Sequence, residues 1–311
     1  MRKDIVVLGS LNVDFVVRTD VRPAAGETVT GSDFRIHPGG KGANQAVAAS
    51  RAGGKVTMAG RIGDDVFSSV LTKSLLEAGV RGDLVRVAQG APTGSAFIIL
   101  DAKGENSIVV VPGANGTVTK DDVDDIEPVL QNARVLMLQL EVPLDVVEYA
   151  AHKAHSAGVM VILDPAPPVA LPYGLLRSVD IIAPNEHEAQ FLTGRKITDL
   201  KSARLAASDL TSMGIGRAIV KMGGRGVVYA SDSQLEYILG YTVDVVDTTA
   251  AGDTFAGALA VALCEGKSPV EACRFANAAA ALSVTRAGAQ TSMPWREEID
   301  KFLQAAPEGS L

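Results

Sequence analysis

The stretch RVLMLQLEVPLDVVEYAAHKAHSAGVMVILDPAP, residues 134–167, decides the predicted fold. A short apolar run comes first, a helical pattern follows over 144–157, and a second apolar run leads into Asp164. Strand–helix–strand order of this kind is typical of a βαβ unit, whose two strands lie parallel in one sheet.

The same alternation continues along most of the chain. Further apolar runs are DIVVLGS, KVTMAGRIG, VDIIAPN and RAIVKMGG, and further helical stretches cover 43–51, 67–78 and 202–213. This alternation predicts an α/β fold with a mostly parallel central sheet covered by helices. Because ligands of such sheets bind beyond the carboxyl ends of the strands, the residues that follow each strand are the candidate site residues.

Two segments, about 11–37 and 90–112, contain no helical pattern. The second includes AFIILDAKGENSIVVV, which predicts a β-hairpin with residues 103–106 at its turn. We therefore expect one domain over 1–311 with a small β-sheet lid that projects from the main sheet and is able to cover the site. An ordinary peripheral β-extension is the alternative.

The composition excludes several classes of function. The chain has 311 residues, a net charge of −7 and no basic cluster, which argues against a nucleic-acid partner. Its start has four apolar residues before Gly9, too few for a signal peptide, and the apolar run after Asp253 is interrupted by Glu265 and is too short to span a membrane. The two cysteines, Cys264 and Cys273, lie in helical sequence, as is usual in a reducing compartment. We expect a soluble, cytoplasmic protein with no membrane partner.

The first candidate motif is HPGGKGANQAVAASRAGG, in which three glycines surround Lys41 directly before a helix. The motif differs from a P-loop because Gly42, and not Ser or Thr, follows the lysine. One interpretation is a glycine-rich turn that leads into a packed helix. In the other, the glycines bring the backbone close to a polar ligand that Lys41 and Asn44 face.

Two further pairs follow predicted strands. Asn12 and Asp14 are two residues apart, so in extended chain they face the same side, and an amide beside a carboxylate suits a vicinal diol; a surface turn is the alternative. Asn185 and Glu188 are three apart and share one face if a helix begins there. Capping of that helix by Asn185, with Glu188 in solvent, explains the same pattern.

The last candidate motif is VDTTAAGDTFAGALAVAL, residues 246–263. Ala250, Ala251 and Gly252 would present free backbone N–H groups at a helix N-terminus, which is an anion site. Hydrogen bonds to a charged group contribute about 1.5–3 kcal/mol each and exceed the helix dipole at about 0.3–1 kcal/mol. Asp253 is either a capping residue or the acceptor of a proton from a hydroxyl that attacks a phosphoryl group.

These stretches, in this order, resemble the ribokinase family of sugar kinases, also called the PfkB family. The likeness extends from VVLGSLNVD to MPWREEID, and its two characteristic signatures are GGKGANQAVAASRAG (39–53) and DTTAAGDTFAGAL (247–259). The resemblance implies a Rossmann-like three-layer α/β core with a β-sheet lid that is often shared across a homodimer. It also implies transfer of a phosphoryl group from ATP to the 5-hydroxyl of ribose.

The resemblance implies a role for each matching residue. Asp253 is the implied catalytic base and also a sugar contact, with an anion hole formed by Ala250, Ala251 and Gly252. The other implied sugar-binding residues are Asn12, Asp14, Gly40, Lys41, Gly42, Asn44 and Glu141. The implied nucleotide-binding residues are Asn185, Glu188, Lys221, Gly223, Gly224, Gly226, Gly252 and Asn277.

Metal ions are implied in the same way. Glu188 belongs to a motif tied to Mg²⁺ and phosphate in the family, whose members are also activated by a monovalent cation, usually K⁺. Residues that match the positions of that cation site are Asp247, Thr249, Ser283, Arg286, Gly288 and Ser292. Lys221, Asn277 and Thr249 depart from the common family pattern, so the contacts of the first two with ATP stay open.

Two other functions remain compatible with the sequence. Another sugar or nucleoside kinase of the family could act on deoxyribose, fructose, a nucleoside or a sugar phosphate, and for the last of these the lid region offers Arg18, Arg22 and Arg35. A non-catalytic sugar or nucleotide sensor would use the same fold without phosphoryl transfer.

Overall fold

The computed structural model describes residues 3–305, so residues 1–2 and 306–311, the ends of the expected domain, lie outside the described part of the chain. Within 3–305 the strands β1–β13 are Asp4–Leu8, Asn12–Thr19, Gly31–Gly39, Lys55–Gly63, Arg81–Ala88, Gly94–Leu100, Asn106–Val111, Ala133–Leu138, Met160–Leu163, Ile181–Ile182, Arg217–Lys221, Gly226–Ser231 and Leu235–Leu239. The helices α1–α10 are Lys41–Arg51, Ser68–Glu77, Lys120–Leu130, Leu144–Ser156, Tyr173–Ser178, Glu186–Thr193, Leu200–Ser212, Ala251–Cys264, Pro269–Ser283 and Arg296–Ala305. Short 3₁₀ helices occupy Gly113–Thr117, Gly223–Arg225 and Gln290–Ser292.

Nine strands form the main sheet, in the order β13-β12-β11-β10-β9-β8-β1-β4-β5. Every neighbouring pair from β11 to β5 is parallel, whereas β12 and β13 are added antiparallel at one edge. The predicted α/β class with a mostly parallel sheet is confirmed. Because parallel strands end at the same edge of the sheet, the segments that follow them meet there.

Both faces of the main sheet are covered, which explains why its strands are continuous apolar runs. In β1, Ile5 and Val7 belong to one buried cluster, and Val6 and Leu8 belong to the other. Residues of α1, α2, α8, α9 and α10 pack into the first cluster, and residues of α3 to α7 into the second. The core is therefore a three-layer sandwich of helices, sheet and helices.

Helix α8 has the most enclosed position of any helix in residues 3–305. Every residue from Asp253 to Leu263 is buried, as expected for a helix that is apolar on all sides. Gly257 allows the close approach of α1, because a Cβ at this position would lie 2.6 Å from the backbone nitrogen of Ala49. Tight packing along α8 fixes its N-terminal turn relative to α1.

The second sheet has four strands in the order β3-β2-β6-β7. These strands fall within the two helix-free segments, except that β3 continues to Gly39. Strands β6 and β7 form an antiparallel hairpin, and the backbone N–H of Asp101 donates to the carbonyl of Glu105 at its turn. Strand β2 begins four residues after β1 ends, so this sheet projects from the carboxyl edge of the main sheet. No helix within 3–305 is both long enough and apolar enough to cross a membrane.

Candidate active site

Polar residues from separate parts of the sequence meet at the carboxyl edge of the main sheet. Five of them follow or end parallel strands: Ser10 after β1, Glu141 after β8, Asp164 after β9, Asn185 after β10 and Lys221 at the end of β11. The N-termini of α1 and α8 face the same edge. The edge thus combines carboxylates, cations and helix N-termini.

The N-terminus of α8 has an unusual backbone. Its N-cap, Ala250, has φ 57°, the only positive φ at a non-glycine residue within 3–305. Such a conformation costs of order 1 kcal/mol or more and is concentrated at functional sites. The carbonyl of Ala250 accepts both the N–H and the hydroxyl of Thr254, each at 2.9 Å, which holds the turn in place.

One of the three amides predicted to be free at this turn, that of Ala251, is already hydrogen-bonded within the protein. The N–H of Ala251 donates to the carbonyl of Thr248 at 3.2 Å, because the positive φ of Ala250 folds the chain back on itself. The N–H groups of Ala250, Gly252 and Asp253 have no hydrogen-bond partner among residues 3–305. Of these free amides, those of Gly252 and Asp253 belong to the first turn of α8, where the N-terminus of a helix binds anions.

Asp253 lies in the first turn of α8 and is 6% exposed. Its Oδ2 accepts from Nδ2 of Asn44 at 3.0 Å, and its Oδ1 accepts from Nε2 of Gln45 at 3.2 Å. Burial raises the pKa of Asp253 to about 6, although Lys41 and the two amide donors lower it. This carboxylate points into the site and is ionised at neutral pH, as a general base requires.

A polar network behind Asp253 was not predicted from the sequence. Nε2 of Gln45 also donates to Oδ2 of Asp164 at 2.9 Å, and Nζ of Lys221 donates to Oδ1 of the same carboxylate at 3.0 Å. Oε1 of Gln45 accepts from Nε2 of Gln139 at 2.7 Å. Asp164 directly follows strand β9, so the rule that site residues follow strands could have found it.

The residues implied as sugar contacts lie on the side of the site that faces β2. Asn12 and Asp14 share one face of that strand, as predicted, and the backbone N–H of Lys41 donates to Glu141 at 3.0 Å. Burial, then Glu141 and Asp253, raise the pKa of Asp14 to about 7. Burial opposes the charge on Lys41, yet surrounding carboxylates, led by Asp253, raise the pKa of its ammonium above the ordinary value.

The side chain of Asn12 has a fixed orientation. Nδ2 of the buried Asn115 donates to Oδ1 of Asn12 at 2.6 Å and to the carbonyl of Leu11 at 3.1 Å. Because the oxygen of Asn12 is engaged in this way, its NH₂ group is the one directed away from Asn115. Asn12 offers donors where Asp14 offers acceptors.

The glycines before α1 pack against protein backbone. Gly40 has φ 86°, and a Cβ there would lie 2.6 Å from the nitrogen of Asn12; a Cβ on Gly42 would lie 2.6 Å from the nitrogen of Ser10. The N–H of Ala43 donates to the carbonyl of Ser10 at 2.9 Å. These glycines bring α1 against residues 10–12, so that Lys41 and Asn44 project into the site.

Asn185 and Glu188 form a reciprocal capping box at the start of α6. The side chain of Asn185 accepts from the N–H of Glu188 at 2.9 Å, and Glu188 accepts from the N–H of Asn185 at 2.7 Å. Glu188 is 6% exposed and not solvated, in contrast to the capping alternative considered from the sequence. Burial raises the pKa of Glu188, against the lowering effect of Lys221. A buried carboxylate thus lies at the rim of the cleft.

Two clefts adjoin along the start of α8. The first, about 540 Å³, is lined by charged side chains that include Lys41, Asp164, Glu188 and Asp253. The second, about 400 Å³, is mainly apolar and is lined in part by Val227, Tyr241, Phe255, Ala280 and Val284. Both are lined by Lys221, Gly223, Thr248, Ala251 and Gly252. A ligand with one charged end and one flat apolar end fits this combination.

Lys221 lies where the clefts meet. Its side chain is 13% exposed and pairs with Asp164, and a Cβ on Gly252 would lie 3.4 Å from its ammonium. Its side chain is therefore directed into the site, toward Asp164, and not into bulk solvent. The ammonium is close to the free amides of α8.

The other residues implied for the nucleotide line the second cleft. Gly223, Gly224 and Gly226 form the turn between β11 and β12, and Asn277 on α9 donates from Nδ2 to the carbonyl of Leu239 at 3.0 Å. The side-chain amide of Asn277 therefore already binds the end of β13, and only the hydrogen-bonding capacity that it does not use there is available to a ligand.

The residues implied for a monovalent cation lie in two adjoining loops. Asp247 accepts from the N–H and hydroxyl of Thr249 and from the N–H of Gly288 at 2.8 Å, which joins the loop before α8 to the loop after α9. Burial opposes ionisation of Asp247, but these hydrogen bonds lower the pKa of its carboxyl below the ordinary value. Ser283 and Ser292 are buried. The guanidinium of Arg286 pairs with Glu298.

Comparison with known proteins gives consistent matches over the chain. The family model described as pfkB family carbohydrate kinase matches residues 2–296. A ribokinase of Haemophilus influenzae is 43% identical over 98% of this chain and all of the relative, and a deoxyribokinase of Salmonella typhi is 35% identical over 96% of this chain and 98% of the relative. The solved structure of Arabidopsis thaliana ribokinase complexed with ribose and ATP superposes with a TM-score of 0.89 at 36% identity, covering 98% of this chain and 99% of that one.

Proposed function

The chain belongs to the pfkB family of carbohydrate kinases, and we propose that it is an ATP-dependent ribokinase. It transfers the γ-phosphoryl group of ATP to the 5-hydroxyl of D-ribose and releases ribose 5-phosphate and ADP. The observation that carries this proposal is the buried carboxylate of Asp253 beside the free amides of α8. A carboxylate there can accept the proton of the attacking hydroxyl while the amides stabilise the charge on the phosphoryl group.

The sugar is proposed to bind between α1 and the second sheet. Asn12 supplies hydrogen-bond donors and Asp14 supplies acceptors, a combination that suits adjacent 2- and 3-hydroxyls. Raised pKa values of Asp14 and Asp253 support this proposal, because crowded, desolvated carboxylates are concentrated at binding and catalytic sites. The full proposed set of sugar contacts is Asn12, Asp14, Gly40, Lys41, Gly42, Asn44, Glu141 and Asp253.

ATP is proposed to bind across both clefts, with its base in the apolar cleft and its phosphates in the one lined by charged side chains. Lys221 and the amide of Gly252 are close enough together to contact the same phosphate group. The proposed nucleotide contacts are Asn185, Glu188, Lys221, Gly223, Gly224, Gly226, Gly252 and Asn277.

The residues at the cleft fit a Mg²⁺ ion that arrives with ATP. Within 3–305 no group of three or more His, Cys, Asp or Glu side chains is arranged to hold a metal. Mg²⁺ usually binds through one or two carboxylates together with phosphate oxygens and water, and the buried Glu188 at the rim of the cleft offers such a carboxylate. The ion would neutralise charge on the phosphates.

A monovalent cation, K⁺, is proposed to bind between the two loops that Asp247 joins. An ionised carboxylate among loop carbonyls provides the oxygen ligands that hard cations take. The proposed ligands are Asp247, Thr249, Ser283, Arg286, Gly288 and Ser292, several through main-chain oxygen. The test compares ADP release in KCl and in choline chloride at equal ionic strength. Higher turnover in KCl is expected, and equal turnover would contradict the site.

The second sheet is proposed to be a lid over the sugar, formed by about 11–37 and 90–112 of a single domain, and to pair with the lid of a second copy in a homodimer. Phe34, Phe97 and Val109 lie on its face opposite Asp14 and are 57%, 48% and 63% exposed. Exposed apolar patches on one face are typical of interaction surfaces. Light scattering after size-exclusion chromatography should give a dimer that Val109→Asp converts to a monomer, and a monomeric wild type would refute the pairing.

A cytoplasmic location is proposed from the cysteines. Cys264 and Cys273 are both free, and Cys273 is buried within α9. Free cysteines are usual where thiols are kept reduced. Cell fractionation of the tagged full-length protein tests this location.

The function is tested by ADP release with a panel of ribose, deoxyribose, fructose, nucleosides and sugar phosphates. Ribose is expected to have the highest kcat/KM. A preference for deoxyribose would assign the activity of the Salmonella typhi relative instead. Of the three arginines that could bind a sugar phosphate, Arg22 and Arg35 already pair with Asp101 and Asp33, which leaves Arg18 for that role. Ribose binding by calorimetry without ADP release would identify a sensor and refute the kinase assignment.

A further inference from the structure

The side chain of Gln45 lies between two carboxylates of the cleft. Its single Nε2 donates to Oδ1 of Asp253 at 3.2 Å and to Oδ2 of Asp164 at 2.9 Å. The residue is 1% exposed, so water does not compete for these hydrogen bonds. One amide group therefore fixes the separation and orientation of two like charges.

Gln139 determines which way this amide faces. The side-chain amide of glutamine has one acceptor, the oxygen Oε1, and two donor N–H groups, both on the nitrogen Nε2. Because Nε2 of Gln139 donates to Oε1 of Gln45 at 2.7 Å, both N–H groups of Gln45 face the carboxylates. Reversal of the Gln45 amide would place two donors against each other and an oxygen against two anions.

Gln139 holds this position at a cost to stability. The side chain is wholly buried, and its own Oε1 has no hydrogen-bond partner among residues 3–305. That oxygen lies so close to Gly9 that a Cβ there would be 1.9 Å away. An unpaired buried acceptor is unfavourable, and an apolar side chain of the same shape would avoid it. What glutamine supplies at this position, and an apolar residue does not, is the donor to Gln45.

We propose that Gln45, oriented by Gln139, is a positioning residue for phosphoryl transfer, which keeps the carboxylate of Asp253 directed at the sugar hydroxyl and offsets its repulsion from that of Asp164. The inference rests on the proposed kinase function. Asn44 occupies the other oxygen of Asp253 at 3.0 Å. With one amide donor on each oxygen, the rotation of the carboxylate is fixed, and the remaining lone pairs are left for the hydroxyl.

The charges around Asp253 explain what the loss of Gln45 would do. Asp253 faces Lys41 from α1, Asp164 from the end of β9 and Asp14 from β2, while Lys221 from β11 pairs with Asp164. Removal of the shared donor leaves two carboxylates close together with less compensation. Like charges in this arrangement favour the protonated form, and a protonated Asp253 cannot accept the hydroxyl proton.

The test substitutes Gln45→Met in the full-length protein and measures kcat, ribose affinity by calorimetry and the pH profile of kcat. We expect kcat to fall about 10- to 100-fold, the range for a lost hydrogen bond to a charged group. Ribose affinity should change little, and the acid limb of the profile should move to higher pH. An active variant with the wild-type kcat and the wild-type acid limb would overturn the proposal.

Gln139→Met gives an independent test, because it leaves both donors of Gln45 in place and removes only what orients them. Gln139→Met should lower kcat less than Gln45→Met does, and it should shift the acid limb of the pH profile in the same direction. If Gln45→Met does not fold, these two measurements on Gln139→Met test the proposal. The double variant should be no less active than Gln45→Met alone, since the pair acts as a unit. If the fold-losses in kcat of the two single variants multiply in the double variant, the two glutamines do not act as a unit.

The control for stability is Val123→Ala, in the buried cluster on the opposite face of the sheet. It should lower the melting temperature without moving the acid limb, whereas a shift as large as that of Gln45→Met would show that general destabilisation causes the effect and would refute a positioning role. A wild type that releases no ADP with any sugar refutes the proposed function itself. An active wild type with unaffected glutamine variants refutes the positioning role alone.

Discussion

Replacement of Asp253 by asparagine separates chemistry from binding in this site. Asp253→Asn keeps the shape of the side chain but removes its charge and one acceptor oxygen. In the structure each oxygen of Asp253 accepts from one amide, Asn44 or Gln45, so one of these donors loses its partner. Lys41 also loses the carboxylate that contributes most to raising its pKa.

The two expected losses differ strongly in size. A positioned general base contributes about 10²–10⁴-fold to the rate, so turnover should fall by that factor. The net contribution of one hydrogen bond is about 1 kcal/mol, which corresponds to roughly fivefold in ribose affinity. Asn12, Asp14 and Glu141 are unchanged and should retain the sugar.

The assay couples ADP release to a spectrophotometric readout at saturating ribose and ATP, and calorimetry gives the ribose dissociation constant. Glu265→Gln is the matched control, because it makes the same change at the C-terminal end of α8, where Glu265 pairs with Arg296 near the surface. It should leave turnover unchanged. Turnover of Asp253→Asn within a few-fold of wild type would refute the role of this carboxylate as base.

Three further predictions follow from the charges. First, kcat/KM for ribose should fall as the pH drops through about 7 to 6, because Asp14 and Asp253 must both be ionised and burial raises their pKa values to about 7 and about 6; a profile flat down to pH 5 would contradict this. Second, Asp14→Asn should raise the free energy of unfolding of the ligand-free protein at pH 8 by about 1–3 kcal/mol. Because the pKa of Asp14 is raised, the folded state binds the proton of this carboxyl more tightly than the unfolded state does. The cost of ionising Asp14 in the folded wild type therefore grows as pH rises from about 4 to 7, and the stability gained by Asp14→Asn should vanish below pH 4. Denaturant titrations of wild type and variant at pH 8 and below pH 4 check this. Third, Lys221→Met should raise the KM for ATP roughly 10- to 100-fold with little effect on ribose affinity, because an ammonium beside Gly252 is lost; an unchanged KM would exclude contact with the phosphates.

The sequence predicted the fold class well because a parallel sheet leaves a simple pattern. Strands buried on both faces are continuous apolar runs, and the helices between them repeat at every crossover. The family membership implied by the two glycine-rich signatures is also confirmed. Strand β10 has two residues and the helix α3 contains Pro128, so neither gives a strong local signal. Their positions are set by contacts with neighbouring elements.

The candidate site was predicted unevenly for physical reasons. Asp253 and Glu188 lie at helix N-termini whose start is visible in the sequence. Gln139 directly follows strand β8, so the rule that found the other residues after strands could have included it. Gln45 lies within α1, and a glutamine there is indistinguishable from a surface residue until the fold brings it against Gln139 and the two carboxylates. The backbone hydrogen bond from Ala251 to Thr248 depends on the positive φ of Ala250. An alanine does not favour that conformation, so the sequence does not predict it.

The central claim concerns one phosphoryl transfer: the carboxylate of Asp253 acts on the attacking sugar hydroxyl, and the free amides at the start of α8 act on the phosphoryl group. A crystal structure with ribose and a non-hydrolysable ATP analogue measures this most directly. We predict a carboxylate oxygen of Asp253 within about 3 Å of the 5-hydroxyl of ribose, and the γ-phosphate at a similar distance from the amides of Gly252 and Asp253. A carboxylate that contacts only Asn44 and Gln45, with the sugar hydroxyls beyond hydrogen-bond reach, would contradict the account.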